Sequence, residues 1–384
     1  MADKTYLITP GPTPIPPEVS AALALPLIHH RSPDFKLLLT QTLAGLGRVF
    51  ATAEPVLLFA GSGTSAMESA VANLLSPGDR VLVASAGNFG ERWAKIVQAY
   101  GLEPERVVQE WGERLDPDLI AERGNGCAAV FVTHSETSTG VVHDVRAIAE
   151  ALRPTGAALV VDAVSSLGGV ELATDAWGVD VVVAGSQKAL MTPPGLAFAS
   201  VSERAWQLAG RGGLPRFTLD WRTTRDAQAA SSTPFTPPVT LVAGLNAAIG
   251  MLEREGFEAA WRRNRRLALA AREGAKAIGL ELFSPDDDSS AMVTAVRMPA
   301  GIDGQHVYGL LRDRHGVVLA GGQGPLPGHV IRMGHMGYMN EFDIITALSA
   351  LEMVLAEMGY HAPVSGAGAA RAVDLFSRPE TARV

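Results

Sequence analysis

Lys188 stands in VDVVVAGSQKALMTPPGLAF, just past an apolar run and ahead of a proline pair. A solvated surface lysine has polar neighbours, whereas this one is framed by apolar, conformationally fixed sequence. Desolvation lowers a lysine pKa and frees the amine as a nucleophile, the state that a Schiff-base lysine needs. Ser186 and Gln187, beside it, are donors suited to a phosphate. Asp162 ends the apolar run ALVVD. Alone, such an acid reads first as a helix cap, and otherwise as a metal ligand or a partner for a protonated ring nitrogen. A third stretch, GSGTSAMESA, matches G-x-G-x-x-A at Gly61, Gly63 and Ala66. Its glycines let backbone N–H groups approach an anion at the start of a helix, and Ser62, Thr64 and Ser65 add hydroxyls. A nicotinamide site would also need an acid about 20 residues on, at the end of the next strand. That strand ends Ala84-Ser85-Ala86, so the ribose partner is missing. A nucleophilic lysine, a strand-end aspartate and a Gly-Ser phosphate cup together meet the requirements of pyridoxal phosphate.

These residues need a scaffold that brings strand ends together. Near-continuous apolar runs of strand length lie at 56–60, 81–84, 128–133, 158–161, 179–184 and 196–200. Uninterrupted apolarity predicts strands covered on both faces. Trp93, Ile96, Val97 and Tyr100, between the second and third runs, share one face of a helix. The alternation predicts an α/β fold with a mostly parallel sheet, whose ligands sit beyond the carboxyl ends of its strands. Pro10, Gly11, Pro12, Pro14, Pro16 and Pro17 predict an extended N-terminal arm over 1–19 that is neither helix nor central strand. A large domain is expected over 20–255 and a smaller α/β domain over 256–362, with a long helix through Ile278, strands near 292–297, 317–320 and 330–333, and a helix over 341–358. The tail, 363–384, is rich in Ala, Gly, Ser and Arg with little periodicity and is expected to be poorly ordered.

Composition narrows the function classes. The chain has 384 residues, with 32 Lys and Arg against 40 Asp and Glu, a net charge of −8. Nucleic-acid binding takes clustered basic residues that this sequence lacks. No apolar run approaches the roughly 18 residues that span a bilayer, so no membrane partner is expected. The single cysteine, Cys127, cannot form an intrachain disulfide, and no signal-peptide pattern opens the chain, so a cytoplasmic location is expected. Cys127 precedes an apolar run and should be buried.

At TPGPTPIPPEV, GSGTSAMESAVANLLSPGDRVLV, THSETSTGV, VDAVSSLGG and GSQKALMTPPG the chain resembles the class V, fold type I aminotransferases, especially the alanine–glyoxylate and serine–glyoxylate (serine–pyruvate) group. The likeness covers about residues 5 to 360. It implies a three-layer fold type I transferase in which Lys188 is the Schiff-base lysine and proton shuttle and Asp162 pairs with the pyridinium nitrogen of pyridoxal 5'-phosphate. Ser62, Gly63 and Thr64 would hold the phosphate with Gln187, Thr137 would bond the phenolic oxygen side, and Phe89 would stack on the ring. Thr236 matches a threonine that reaches the phosphate of the neighbouring subunit, which implies a homodimer with shared sites. A tyrosine that often precedes it by three residues is replaced by Thr233. Arg332, in VIRMGHMGY, would clamp the substrate α-carboxylate, with a structural salt bridge as the plainer reading, and Gly11 would lie at the substrate side. The implied reaction is ping-pong transfer of an amino group from alanine or serine to glyoxylate or pyruvate. A lyase or desulfurase on the same fold is the alternative, and a nicotinamide-binding α/β protein a more distant one. The buried Cys127 speaks against a desulfurase, which needs a mobile reactive cysteine in a late loop.

Several other features read more plainly. His29-His30-Arg31 could line the mouth of the site or form a solvated loop. His134, His143, His329 and His335 lack metal-ligand spacing. Asp286-Asp287-Asp288 reads as a solvated turn.

Overall fold

The computed structural model describes residues 4–378. The chain opens with strand β1 (Tyr6–Leu7), helix α1 (Pro17–Leu23) and helix α2 (Pro33–Phe50). It continues with β2 (Val56–Gly61), α3 (Gly63–Leu74), β3 (Val81–Ser85), α4 (Asn88–Ala99), β4 (Glu105–Val108), α5 (Pro117–Gly124) and β5 (Ala129–Thr133). A small hairpin, β6 (Ser135–Glu136) with β7 (Val141–Val142), leads to α6 (Val145–Leu152), β8 (Ala158–Asp162), α7 (Thr174–Trp177), β9 (Val181–Gly185) and β10 (Gly195–Val201). Helices α8 (Glu203–Ala209), α9 (Trp221–Ala229), α10 (Val239–Glu255) and α11 (Phe257–Ile278) follow. The chain closes with β11 (Val293–Arg297), α12 (Gly304–His315), β12 (Val317–Val318), β13 (Ala320–Gly321), β14 (Val330–Gly334), α13 (Glu341–Glu357) and α14 (Ala367–Ser377).

Seven strands form the central sheet in the order β2-β10-β9-β8-β5-β3-β4. Only β10 runs against its neighbours, pairing antiparallel with both β2 and β9. The expected apolar runs all become strands of this sheet. Strands β3, β5, β8 and β9 are buried along their whole length because helices cover both faces. One face packs Phe35, Leu39, Ile148 and Leu245, from α2, α6 and α10. The other packs Met67, Trp93, Val97 and Trp221, from α3, α4 and α9. Trp93 and Val97 thus form the inward face that their spacing predicted, with Ile96 and Tyr100 partly buried at its margin. Strand β4 at the sheet edge, two charged residues followed by two valines, has no apolar run to announce it.

A separate apolar cluster gathers Leu267, Leu311, Ile331, Leu348 and Val354, around the three-stranded sheet β11-β14-β13 and helices α11 to α13. Ile8 of the N-terminal arm is buried in it, and β1 lies parallel to β12 with Tyr6 opposite Val317. Two expectations are corrected. The arm is extended only as far as Pro16, because Pro17 occupies the first turn of α1, where a missing N–H costs nothing. The stretch expected to lack order after Pro363 contains α14, whose Ala372 and Leu375 are buried against the same cluster while Arg371 pairs with Glu273 of α11. Small residues along α14 permit that close seating, so low sequence periodicity did not mean disorder. Residues 379–384 of the expected tail lie outside the described residues.

Candidate active site

Strands β2, β5, β8 and β9 are mutually parallel, so their carboxyl ends open on one edge, and the chemistry-bearing residues follow them there. After β9 the chain is fixed by Ser186, whose hydroxyl donates to the Pro193 carbonyl at 2.6 Å and accepts from Leu196 N–H at 3.3 Å. Ser186 is therefore spent on closing the loop and is not free for a phosphate, as its place in the sequence had suggested. That closure presents Lys188. Its Nζ donates to the Pro10 carbonyl of the arm at 2.6 Å. The arm is tied down in turn, because Thr13 donates its N–H to the Gln187 carbonyl and its hydroxyl to the Lys188 carbonyl. Burial, and then the Arg332 charge, lower the Lys188 pKa to about 8, against the pull of Asp162.

Asp162 ends β8, with Thr133 of β5 and Val183 of β9 as its sheet neighbours. Its Oδ1 accepts from Val164 N–H at 2.8 Å within a turn, and no helix starts there, so the helix-cap reading is not met. Burial raises its pKa to about 6, helped by Glu136 and opposed by that N–H, Arg92 and Lys188.

The third part, Ser62 to Thr64, begins α3 after β2. Gly63 has no room for a side chain, since a Cβ would lie 2.5 Å from Val164 Cγ2. The glycine is thus needed to let the loop after Asp162 approach the start of α3. Gly11, Ser62, Gly63, Thr64, Phe89, Asp162, Gln187 and Lys188 line one cavity of about 220 Å³.

Three expected residues are absent from its lining. Thr137 is buried behind it, and Arg332 on β14 is held by two backbone carbonyls, Nε to Gly321 at 2.9 Å and Nη1 to Thr137 at 2.8 Å. Among the described residues Arg332 makes no ion pair, which disposes of the salt-bridge reading. Burial lowers its pKa to about 10, opposed by the charge of Glu136. Thr236 is exposed on the segment before α10, and the Thr233 hydroxyl donates to the carbonyl of Phe235 within the same turn. His29, His30 and Arg31 also lie outside the cavity lining, with Arg31 bonded to Ser232.

Two residues of the site carry no sequence assignment. Arg92 lines the cavity, donates to Thr64 Oγ1 at 3.1 Å and lies 4.6 Å from the centre of the Phe89 ring. Glu136 is fully buried beside it. Helical spacing from the expected Phe89 gives Arg92, one turn on. Glu136 stands inside THSETSTGV with no local feature to mark it.

Two of the histidines, His335 and His143, hold structural hydrogen bonds. His335 is buried between the Thr294 hydroxyl and the Ala291 carbonyl, and His143 Nδ1 accepts from Leu115 N–H. Burial lowers both, to about 3. Among the described residues no group of three or more His, Cys, Asp or Glu could hold a metal ion, and no helix is long and apolar enough to cross a membrane. Cys127 is buried, its thiol directed to the Arg123 carbonyl. The Asp286–Asp288 turn is ion-paired as well as solvated, to Lys276 and Arg114.

The residues present fit a phosphorylated pyridine aldehyde. The buried Oε1 of Gln187, a residue of the cavity lining, has no hydrogen-bond partner, an expensive state for a native interior unless a ligand completes it. The cavity joins a helix N-terminus at one side, suited to a phosphate, to a buried amine and a buried acid at another.

The family model of class-V aminotransferases matches residues 5–343. The chain is 45% identical to a Synechococcus protein named soluble hydrogenase, small subunit, over 98% of this chain and 100% of that one. It is 36% identical to the L-aspartate–glyoxylate aminotransferase of Paracoccus denitrificans, over 100% and 98%. Among solved structures, ureidoglycine–glyoxylate aminotransferase from Bacillus subtilis superposes with a TM-score of 0.92 at 30% identity, covering 98% of this chain and 99% of that one.

Proposed function

The chain belongs to the class-V aminotransferases, and from that premise we propose that it moves the amino group of a small amino acid, alanine or serine, to a small 2-oxo acid, glyoxylate or pyruvate. Pyridoxal 5'-phosphate is the cofactor. The observation that carries this reading is the meeting of a buried lysine amine of lowered pKa with a buried aspartate of raised pKa in one cavity at the carboxyl edge of the sheet.

When bound, the cofactor supplies an aldehyde that carries the amino group and a ring that withdraws electrons from the reacting carbon. The residues do the rest. Lys188 Nζ would be the attachment point for that aldehyde and, as a free amine, would be the base that takes the proton from the donor Cα and hands it back. The free oxygen of Asp162 holds a proton on the ring nitrogen, a task served by a carboxylate in an apolar setting. Ser62, Gly63 and Thr64 at the start of α3, with Gln187, take the phosphate. Thr137 takes the phenolic oxygen side, and Phe89 covers a ring face. Arg332, already held by two carbonyls, offers its free Nη2 to the α-carboxylate. Thr236, exposed and away from its own cavity, supports a homodimer in which each subunit completes the other's phosphate site. The single cysteine accords with a reducing cytoplasm.

Arg92 favours a second reading of the donor. It places another guanidinium in the cavity, and an acidic amino acid such as aspartate carries a second carboxylate to meet it. A donor-by-acceptor activity matrix on the yellow holoprotein separates the two, with alanine or serine and glyoxylate expected to be the fastest pair. Borohydride should bleach the colour and label Lys188. A protein that stays colourless after reconstitution, or that releases pyruvate and ammonia from serine with no oxo acid present, would overturn the transaminase reading.

A further inference from the structure

A helix start leaves four backbone N–H groups without helical partners, and in α4 three of these belong to Asn88, Phe89 and Gly90. Here none is capped by its own chain segment. Asn88 N–H donates to Ser138 Oγ at 2.9 Å, and Phe89 and Gly90 N–H both donate to Glu136 Oε2 at 2.9 Å. The other carboxylate oxygen, Oε1, accepts from Ser138 N–H at 3.1 Å and from the Ser138 hydroxyl at 2.5 Å. Four donors therefore converge on one buried carboxylate. Gly87 allows this approach, since a Cβ there would lie 2.5 Å from Glu136 Cδ and 2.7 Å from Ser138 Oγ.

The same turn holds a second site residue, for the Thr137 carbonyl accepts from Arg332 Nη1 at 2.8 Å. Residues 136 to 138 thus grip Phe89, on the cavity wall, with side chains and Arg332, on β14 of the smaller sheet, with backbone.

We propose that Glu136 is a positioning residue that acts as an ionised buried clamp, fixing Phe89 against the cofactor and, through the turn it anchors, Arg332 toward the donor carboxylate. The proposal rests on the transaminase reading above. Each oxygen of Glu136 accepts from at least one backbone N–H, so an amide nitrogen in either position would set a donor against a donor. Burial pushes its pKa up, and the four bonds pull against that shift. Its charge also stands in the electrostatic surroundings of Asp162, Lys188 and Arg332.

Glu136→Gln keeps the shape and removes the charge. Pyridoxal phosphate titrated into the apoprotein should bind about tenfold more weakly, the cost of turning one buried acceptor into a donor that faces a donor. The pH at which the visible absorbance of the loaded protein changes should fall, because the lysine adduct loses a nearby anion. Donor KM should rise more than kcat falls. Ser138→Ala, which removes one donor to Glu136 and the acceptor of Asn88 N–H but leaves the carboxylate in place, should shift cofactor affinity in the same direction by a smaller factor while the protein stays folded by circular dichroism. If Glu136→Gln is folded, and both its cofactor affinity and its absorbance profile match wild type, the clamp is refuted. If Glu136→Gln does not fold, unchanged affinity in Ser138→Ala refutes it instead. Failure of wild type to bind the cofactor at all would be failure of the underlying functional reading, which the wild-type titration reports separately.

Discussion

The amine of Lys188 donates a 2.6 Å hydrogen bond to the carbonyl of Pro10, from a chain position 178 residues earlier. The bond joins the arm, whose β1 pairs with β12 in a two-stranded sheet of their own, to the lysine loop of the central sheet. Cofactor attachment would leave that nitrogen at most one N–H to donate. The arm is also a wall of the cavity, through Gly11 and Pro12.

Gly11 is where that contact tolerates least change. Its φ is +123°, and a Cβ would lie 2.6 Å from Lys188 Nζ. Gly11→Ala should lower kcat/KM about 10- to 100-fold by misplacing the amine, with little change in the circular dichroism spectrum. Gly359→Ala is the control, since Gly359 also has positive φ, +86°, but no neighbouring atom within 4 Å. Equal losses in both variants would show that backbone strain, and not crowding of the lysine, is responsible.

The apoprotein should trade stability for its two shifted groups. Asp162 moves from 3.8 to about 6, so between those values the folded state binds more protons than the unfolded one, and stability falls as pH rises. Integrated, that is about 3 kcal/mol, fully lost above pH 6. Lys188 moves from 10.5 to about 8, so over that window the unfolded state binds more protons and stability rises with pH. Asp162→Asn keeps the acceptor for Val164 N–H and removes the buried charge. It should raise the apoprotein Tm at pH 7.5 while abolishing most transamination, and a lower Tm would contradict the cost assigned to Asp162.

The lowered Lys188 pKa also sets a kinetic profile. Only the neutral amine attacks an aldehyde, so the rate of pyridoxal phosphate uptake by the apoprotein should rise nearly tenfold per pH unit toward pH 8 and level off above it. Stopped-flow absorbance measures it. A profile still climbing steeply at pH 9.5 would mean that burial does not depress this amine.

What the sequence disclosed and what it hid divide along a physical line. Lys188, Asp162 and Ser62 to Thr64 were legible because each follows an apolar strand, and parallel strands must end on one edge. Arg92 could be found only once α4 had a start, which its first turn does not signal locally because its caps come from Ser138 and Glu136. The role of Glu136 exists only where the hairpin meets α4, a tertiary fact. Ser186 erred in the opposite sense, since its neighbours suggest a phosphate donor and its actual partners are Pro193 and Leu196. Helix α14 was missed because Ala and Gly have no apolar stripe to read, yet they seat it closely on α11.

Arg332→Lys tests the carboxylate clamp. Lysine keeps the charge but cannot satisfy the Gly321 and Thr137 carbonyls while offering a forked donor. Donor KM should rise about 100-fold with a smaller fall in kcat, as expected when a bidentate contact is lost. An unchanged KM would remove Arg332 from the substrate site.

Arg92 tests the two readings of the donor. Its bond to Thr64 ties it to the start of α3, at the end of the cavity suited to a phosphate, and its guanidinium is further fixed over Phe89. A cation there serves the cofactor, whichever amino acid is used. Arg92→Leu should therefore weaken pyridoxal phosphate binding about tenfold or more and, at saturating cofactor, leave the ratio of kcat/KM values for alanine and aspartate within about twofold of wild type, since charge-assisted bonds of this kind contribute about 1.5–3 kcal/mol. A selective collapse of aspartate activity, with alanine spared and cofactor affinity intact, would instead assign Arg92 to a side-chain carboxylate and make the acidic donor the correct reading.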